Sequence, residues 1–337
     1  GEARRALAAF VQADPADLAF VSNATSGVNA VLRSLPLRAG DELLTTDHAY
    51  AACRKAMEYV AGRQGARVVV AEVPFPLGGE DEVVEAVLGA VTPRTRLAVL
   101  DHVTSPTALV FPIQRLAREL AARAVDVLVD GAHAPGMVPL DLARWAPAYY
   151  TGNAHKWMCA PKGAAFLYVR RDRQAHVHPL VISHGYRPGR EEASFREEFD
   201  WPGTDDPTAF LSVAESIRFL GSVLPGGWPE LTARNHSLAL HGRALVCEAL
   251  GVDPPCPDGM LGSMASIPLP AAAPASAVEA LDADGLAAWF RARGTEAWFT
   301  SWPCAGGKLV RLSAQLYNHA GQYALLADLL LQALRGR

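Results

Sequence analysis

The chain has 337 residues, half of them hydrophobic. This exceeds what a single core usually holds, so we expect a large domain over residues 1–221 and a small one over residues 222–337. A formal net charge of −4 and a pI near 6.2 give no reason to expect nucleic acid or an anionic membrane as a partner. No apolar run approaches the roughly 20 residues that span a bilayer, and the amino terminus lacks the apolar stretch of a signal peptide. The expected location is therefore the cytoplasm.

The cysteines argue against two further classes of protein. They are five in number and show no CxxC spacing, which argues against a zinc site and against a disulfide framework. We therefore expect reduced thiols and no metal site. The cysteines are Cys53, Cys159, Cys247, Cys256 and Cys304.

Strand and helix patterns alternate over the first two hundred residues. Strands are predicted at residues 18–21, 42–46, 68–73, 97–102, 125–129 and 164–169, with helices after residue 24, from about residue 81 and around residue 116. Such alternation predicts an α/β fold with a mostly parallel sheet and right-handed crossovers.

The first of these helices begins with residues that suit a phosphate. Ala24, Thr25 and Ser26 follow the strand at residues 18–21 directly. Backbone N–H groups, hydroxyls and the positive end of a helix dipole favour an anion at such a position. An ordinary N-cap is the alternative, because Thr and Ser cap many helices. Together with an acid at residue 130 and a lysine at residue 156, which follow later strands, these three residues favour phosphate binding.

The most informative stretch lies between residues 125 and 157. A valine-rich run, typical of a strand buried on both faces, ends at Asp130, and His133 follows three positions later. Lys156 comes after the next strand. A carboxylate at the end of a buried strand can pair with a protonated pyridine nitrogen, and a lysine can form a Schiff base, which is the equipment for pyridoxal phosphate. Taken singly, Asp130 would be a turn cap and Lys156 a solvated lysine; the joint pattern favours the functional interpretation.

The remaining chain differs in pattern. Residues 176–201 show no clear period and predict an irregular segment. After residue 222 we expect a long helix near residues 231–250, short strands and a final helix near residues 323–334, forming the small domain. The strand at residues 308–315 presents Arg311 on one face, where its fork could bind a carboxylate or make a surface ion pair.

These motifs resemble those of the class V aminotransferase superfamily of pyridoxal-phosphate enzymes of fold type I. The branch they resemble is the isopenicillin N epimerase-like one, which is related to cysteine desulfurases and C–S lyases. The motifs are DGAH at Asp130, TGNAHKW at Thr151, APKG at Ala160, NATSGVNAVLRSL at Asn23, DHAYAACR at Asp47, LDHVTSPTALVFP at Leu100, DWPGTDDP at Asp200 and VRLSAQLYN at Val310.

The resemblance implies a PLP-dependent transferase fold of type I, with a mostly parallel large domain and a smaller α+β carboxyl-terminal domain. It implies pyridoxal 5′-phosphate as cofactor, Lys156 as the lysine that binds it covalently, Asp130 as the partner of its pyridinium nitrogen and His133 as a contact to its phenolic oxygen. Family members usually begin with a further segment that lines the active site, so we expect such a segment upstream.

Further site residues follow from the same resemblance. His48 or, two positions on, Tyr50 stacks on the cofactor ring, unless His48 is merely hydrogen-bonded. Arg311 binds the α-carboxylate of a small amino-acid substrate. Gly203 and Thr204 reach the phosphate of the neighbouring subunit, which implies a homodimer with shared sites; their alternative is a cap for the next helix. Residues 103–111 match the place where relatives contact the substrate or the cofactor's phenolic oxygen through Thr104 or Ser105, and a turn at Pro106 is the alternative. The other implied cofactor contacts are Asn153 and His155.

Three reactions compete at such a site. Desulfuration needs a mobile thiol, and Cys304 lies only seven positions before Arg311, so we expect it to be a pocket or core residue. Epimerisation needs a second base, for which Tyr50, His48 and His184 are candidates. β-Elimination needs only Lys156 and a leaving group. We therefore expect a C–S lyase acting on an S-substituted cysteine, with an epimerase as the alternative; a non-catalytic protein is disfavoured because Lys156 and Asp130 are both present.

Overall fold

The computed structural model describes residues 1–187 and 195–335. The chain divides into two compact units. The large unit comprises residues 1–73, 80–103 and 111–228, and the small unit comprises residues 74–79, 104–110 and 229–337. The main division falls after residue 228, whereas the sequence suggested residue 221. Residues 74–79 and 104–110 belong to the small unit, but no local sequence pattern predicts this. The rest of that unit begins more than a hundred positions later.

The large unit is built on a seven-stranded sheet. Its strands lie in the order β1-β7-β6-β5-β4-β2-β3. They are β1 (Leu18–Val21), β2 (Glu42–Thr46), β3 (Arg67–Ala71), β4 (Thr95–Asp101), β5 (Asp126–Gly131), β6 (Tyr149–Asn153) and β7 (Ala165–Val169). The pairs from β3 through β2, β4 and β5 to β6 are parallel, which confirms the predicted mostly parallel sheet.

The exception is β7, which runs antiparallel to both β6 and β1. A parallel connection needs a crossover of about a dozen residues or more, usually a helix. Residues 154–164, which join β6 to β7, contain no helix, so the chain turns back beside β6. This turn carries Lys156.

Helices bury apolar faces against the sheet. In α5, residues Ile113, Leu116, Ala117 and Leu120 are buried at helical spacing. The helices of the large unit are α1 (Glu2–Val11), α2 (Ala24–Ser34), α3 (Ala51–Gln64), α4 (Glu80–Gly89), α5 (Ile113–Ala121), α6 (Leu142–Trp145), α7 (Phe195–Asp200), α8 (Thr208–Leu211), α9 (Val213–Ser222) and the start of α10 (Gly227–Leu250).

The segment at residues 176–201 was predicted to be irregular throughout, and this is wrong for its end. Helix α7 forms there because Phe195 and Phe199 lie on one face and bury against the core. Residues 188–194 of this segment lie outside the described residues.

The small unit contains a three-stranded antiparallel sheet in the order β8-β10-β9. Its strands are β8 (Met264–Pro268), β9 (Trp298–Ser301) and β10 (Lys308–Ser313), and its helices, besides most of α10, are α11 (Ala277–Ala280), α12 (Ala283–Arg291) and α13 (Ala320–Leu334). This is the expected smaller α+β unit. Within the described ranges, no helix combines the length and apolar character needed to cross a membrane.

Candidate active site

Polar residues collect at one edge of the large sheet. The carboxyl ends of the parallel strands β2, β4, β5 and β6 all meet there, and ligands of open α/β sheets bind at this edge. The side chains that follow or end these strands include Asp47, Asp101, Asp130 and Asn153. The sequence therefore brings the predicted cofactor residues to one edge through strand register alone.

Asp130 is the acid at the centre of this edge. It is only 3% exposed. Its Oδ1 accepts a hydrogen bond from the Ala132 backbone N–H at 3.0 Å, and its Oδ2 accepts one from the Cys53 thiol at 3.0 Å. Both donors are neutral, so the carboxylate is held in place by hydrogen bonds while its charge remains uncompensated by them. Such a group suits a cationic partner such as a pyridinium nitrogen.

Cys53 contributes a contact that sequence reasoning did not identify. The residue lies on α3, and its side chain is buried. Burial raises the pKa of the Cys53 thiol far above its ordinary value, and the negative charge of Asp130 adds to the shift. The thiol therefore stays protonated and acts as a donor to the carboxylate.

Lys156 lies in the turn between β6 and β7, and it is exposed. Its Nζ is 3.0 Å from Nε2 of His133. On the other side of the same ring, Nε1 of Trp157 donates to Nδ1 of His133 at 3.4 Å. The structure thus brings His133 and Lys156 into direct contact, as the joint motif suggested.

Gly136 allows the two turns that carry these residues to approach. Its φ is +83°, in the left-handed region that favours glycine. A Cβ at this position would lie 2.8 Å from the Trp157 carbonyl carbon and 2.9 Å from the Met158 nitrogen. Any larger residue would push the His133 turn away from the Lys156 turn.

The beginning of α2 differs in detail from the predicted phosphate site. Asn23 is the N-cap, and its Oδ1 accepts from the Ser26 N–H at 2.8 Å. The Ala24 N–H donates to Oδ1 of Asn153 at 2.8 Å. Both backbone donors are therefore engaged, and Asn153 serves to tie the helix to the end of β6. The side chains of Thr25 and Ser26 are partly exposed, and the Ser26 hydroxyl donates to Asn23 Oδ1 at 3.1 Å. Phosphate binding by Ala24, Thr25 and Ser26 stays a prediction.

His155 supplies an observation that fits the cofactor. Its Nδ1 is buried and lacks a hydrogen-bond partner among the residues that the structure describes. Burial lowers the pKa of His155, so the ring is neutral near pH 7. A buried ring nitrogen of this kind, directly before Lys156 in the chain, suits an oxygen-rich group such as a phosphate. The residues at this edge therefore fit pyridoxal 5′-phosphate.

The two aromatic candidates for ring stacking are placed very differently. The side chain of His48 is 0% exposed, and its Nε2 lies 2.9 Å from the Val73 carbonyl. Burial lowers the pKa of His48. This geometry matches the alternative in which His48 is hydrogen-bonded, and the choice of stacking residue stays a prediction. Tyr50 is 44% exposed, and its backbone N–H donates to Asp101 at 3.3 Å, so its ring stays accessible at the same edge.

Arg311 and Ser105 lie together in the small unit. Nη1 of Arg311 donates to the Ser105 carbonyl at 2.6 Å and lies 3.2 Å from its hydroxyl. The guanidinium carbon stands 4.2 Å from the ring centroid of Trp298. Its Nε is buried and has no partner in the described part of the chain. Burial lowers the pKa of Arg311 to about 10, so it stays cationic at neutral pH with hydrogen-bonding capacity left for a carboxylate.

The remaining predicted residues are Gly203, Thr204 and His184. Gly203 has a φ of +134°, and no atom lies within 4 Å of a Cβ built there. Thr204 is exposed. Neither caps the next helix, because Asp206 accepts from the Thr208 N–H. The homodimer that these two residues imply stays a prediction. His184 is exposed.

Cys304 has the position of a structural residue and not of a mobile thiol. It is half-buried in the turn between β9 and β10 of the small unit, and its thiol donates to the Lys308 carbonyl at 3.2 Å.

Comparison with known proteins agrees with this geometry. A family model described as aminotransferase class V matches residues 1–322. The chain is 39% identical over 283 residues to isopenicillin N epimerase of Amycolatopsis lactamdurans, a match covering 80% of this chain and 70% of the relative. It is 34% identical over 348 residues to isopenicillin N epimerase of Streptomyces clavuligerus, covering 99% of this chain and 84% of the relative. A putative L-cysteine desulfhydrase 1 of Oryza sativa subsp. japonica is 34% identical over 284 residues, covering 79% of this chain and 58% of the relative.

Solved structures show the same fold. The cystine C–S lyase C-DES in complex with its product cysteine persulfide superposes with a TM-score of 0.79 at 21% identity, covering 100% of this chain and 86% of that one. A C-DES mutant with glycine linked covalently to the PLP cofactor gives a TM-score of 0.78 at 21% identity, covering 98% and 84%. The chain belongs to the class V aminotransferase family, has the PLP fold of type I and uses pyridoxal 5′-phosphate as its cofactor.

Proposed function

We propose that the protein is a C–S β-lyase that cleaves an S-substituted cysteine. The observation that carries this proposal is the contact between Lys156 and His133 beside Asp130, which supplies one positioned base for one proton. β-Elimination needs no more: the Cα proton leaves to a base, and the Cβ–S bond breaks to release the thiol.

The proposal assigns roles to three residues, and Lys156 has two of them. Asp130 would pair with the pyridine nitrogen of the cofactor and would keep it protonated. Bound pyridoxal phosphate supplies the electron sink that stabilises negative charge at the substrate Cα. Lys156 would hold the cofactor covalently, and its amine would take the Cα proton as general base. Arg311 binds the substrate carboxylate through its free hydrogen-bonding capacity.

An epimerase is the second candidate. The two relatives that are named isopenicillin N epimerase support it. Epimerisation requires a proton from the opposite face of Cα, and the buried position of His48 disfavours that residue as its source. Tyr50 is the accessible candidate at the sheet edge, because 44% of it is exposed.

Product analysis separates these functions. The holoenzyme is incubated with a panel of S-substituted L-cysteines and, separately, with chiral amino acids in deuterated water. A lyase converts each cysteine conjugate and water into a thiol, pyruvate and ammonium. An epimerase yields the inverted amino acid with deuterium at Cα and releases no thiol. Alanine in place of pyruvate would indicate desulfuration.

The variant Tyr50→Phe serves as the matched control. It keeps the ring and removes the hydroxyl that could donate a proton. For a lyase, we expect thiol release to remain within about threefold of the parent, a change of less than 1 kcal/mol in the activation free energy. Inversion without elimination in the parent protein, abolished in Tyr50→Phe, would overturn the lyase proposal in favour of the epimerase.

A further inference from the structure

We propose that Trp157 is a positioning residue that holds His133 in the tautomer with its proton on Nε2 and thereby turns a hydrogen-bond donor toward Nζ of Lys156. This inference rests on the proposed function and deepens it, because Lys156 needs a lone pair on Nζ to act as nucleophile and base, and a donor facing Nζ stabilises that lone pair. Trp157 itself need not touch the cofactor or the substrate.

The hydrogen bond between Trp157 and His133 can run in only one direction. An indole N–H can only donate. Since Nε1 of Trp157 donates to Nδ1 of His133 at 3.4 Å, that ring nitrogen must carry a lone pair. A doubly protonated imidazole has an N–H at both nitrogens and could not accept this bond. The ring is therefore neutral, with its proton on Nε2.

The other side of the His133 ring faces Lys156. Nε2 of His133 lies 3.0 Å from Nζ of Lys156. With the proton on Nε2, the imidazole donates and the lysine accepts. An ammonium group has three N–H bonds and no lone pair, so it would oppose a donor at this distance. The contact therefore favours the amine form of Lys156.

Trp157 is held firmly enough by its surroundings to fix this direction. Its side chain is 8% exposed. Gly136 packs against its backbone so closely that a Cβ there would lie 2.8 Å from its carbonyl carbon. The hydroxyl of Ser216 donates to the carbonyl of the next residue, Met158. Because Trp157 directly follows Lys156, one turn fixes both the lysine and the donor that orients its histidine partner.

Nitrogen NMR on the cofactor-free full chain tests the tautomer without any substrate. With histidine labelled by ¹⁵N, the signal of His133 is identified by its loss in His133→Gln. We expect a pyridine-type Nδ1 and a pyrrole-type Nε2 at neutral pH. A pyrrole-type Nδ1, or an imidazolium, in the parent protein would overturn the proposal whatever the variants do.

A double-mutant cycle on the holoenzyme tests the effect on Lys156. Trp157→Phe keeps the ring and removes the N–H donor. We expect it to move the pH titration of the visible cofactor band, and to lower kcat with little change in KM, by roughly threefold to tenfold, as for loss of one neutral hydrogen bond. In a His133→Gln background, which has no tautomer to select, Trp157→Phe should have no further effect on either readout. An equal shift in both backgrounds would show that Trp157 acts only through packing, and the proposal would be wrong.

The two proposals can fail separately. A tautomer result against Trp157 leaves the product analysis of S-substituted cysteines unaffected. An epimerase result in that analysis leaves the NMR test unaffected, because Lys156 must be an amine in either reaction.

Discussion

The two edges of the large sheet treat their buried carboxylates in opposite ways. At the amino edge, Glu42 opens β2 with its side chain 0% exposed. It accepts from Arg67 Nη2 at 2.6 Å, from Arg94 Nε at 3.0 Å and from the Thr92 hydroxyl at 2.5 Å. At the carboxyl edge, Asp130 closes β5 and accepts from a backbone N–H and a thiol.

This difference assigns Glu42 to stability and Asp130 to function. Burial alone would raise the pKa of Glu42, but the hydrogen bonds from Thr92, Arg67 and Arg94 outweigh it and lower the pKa to about 2. This carboxylate is fully neutralised and has no charge left for a ligand. Asp130 is positioned by neutral groups, and in the described chain no lysine or arginine forms a salt bridge with it. A protein carboxylate prepared for a cationic cofactor is expected to have this second kind of environment.

Substitution of Asp130 should produce the largest effect. In Asp130→Asn the side chain keeps its shape and loses its charge, so a bound pyridinium would lack its partner. Loss of one partner of a buried ion pair costs about 3–5 kcal/mol, which corresponds to a fall in kcat of roughly 10²–10³-fold or more. Steady-state kinetics with saturating cofactor measures this. The matched control is Glu42→Gln, which should leave kcat per folded molecule unchanged; an equal loss in both variants would erase the proposed distinction between the edges.

Arg311 is a buried cation to set beside these two carboxylates. Its Nε has no hydrogen-bond partner among the described residues, so it can still bind a carboxylate. Arg311→Ala should retain the cofactor spectrum and weaken apparent substrate affinity. Loss of a charge-assisted pair of about 1.5–3 kcal/mol corresponds to roughly tenfold to a hundredfold. Titration of the cofactor band with substrate measures the affinity. Unchanged affinity and turnover would show that Arg311 serves only to anchor Ser105.

Glu42→Gln should lower stability at the amino edge. Its two arginine partners are more than half exposed and can turn to water, so the expected loss in the free energy of unfolding is about 1.5 kcal/mol. Because the folded pKa is depressed, this stabilisation is present above pH about 4.5 and is lost as the pH falls toward about 2. Denaturant titrations at several pH values should show a flatter acid dependence for Glu42→Gln than for the parent. A parallel dependence in the two proteins would contradict the assignment.

Cys53 should show the smallest effect. Cys53→Ala removes a donor to Asp130, and Cys53→Ser replaces it with a shorter, more polar one. We expect Cys53→Ala to lose about 1 kcal/mol of stability and to move the pH dependence of the cofactor spectrum, while Cys53→Ser restores the spectrum. Chemical denaturation and absorption titrations check the two effects. A stability change without any spectral change would make Cys53 a packing residue only.

Local patterns were enough to predict much of the fold. The strands at residues 18–21 and 42–46 were predicted with their observed ends, because apolar runs there are bounded by polar or turn residues. Asp130, His133 and Lys156 could be found from sequence because strand ends mark their positions. The direction of β7 was not predicted, since it depends on the absence of a helix between Asn153 and Ala165.

The missed contacts join residues that are distant in sequence or carry no motif. Cys53 and Asp130 are 77 positions apart, and a lone cysteine on a helix gives no sign of its partner. The ring of His48 is hydrogen-bonded to the Val73 carbonyl, and Val73 follows the neighbouring strand. The bond from Ala24 to Asn153 redirects a backbone donor that sequence assigned to phosphate. Each of these needed the sheet register to be known first.

The most direct test of the account is to locate the cofactor. The chain has four lysines, Lys55, Lys156, Lys162 and Lys308. The holoenzyme is reduced with borohydride, digested and analysed by mass spectrometry for peptides that carry the reduced pyridoxyl group. We predict stoichiometric label on Lys156 and its loss in Lys156→Ala. Label on another lysine of the unmodified protein, or a full-strength covalent adduct in Lys156→Ala, would contradict the assignment of this edge of the sheet as the active site.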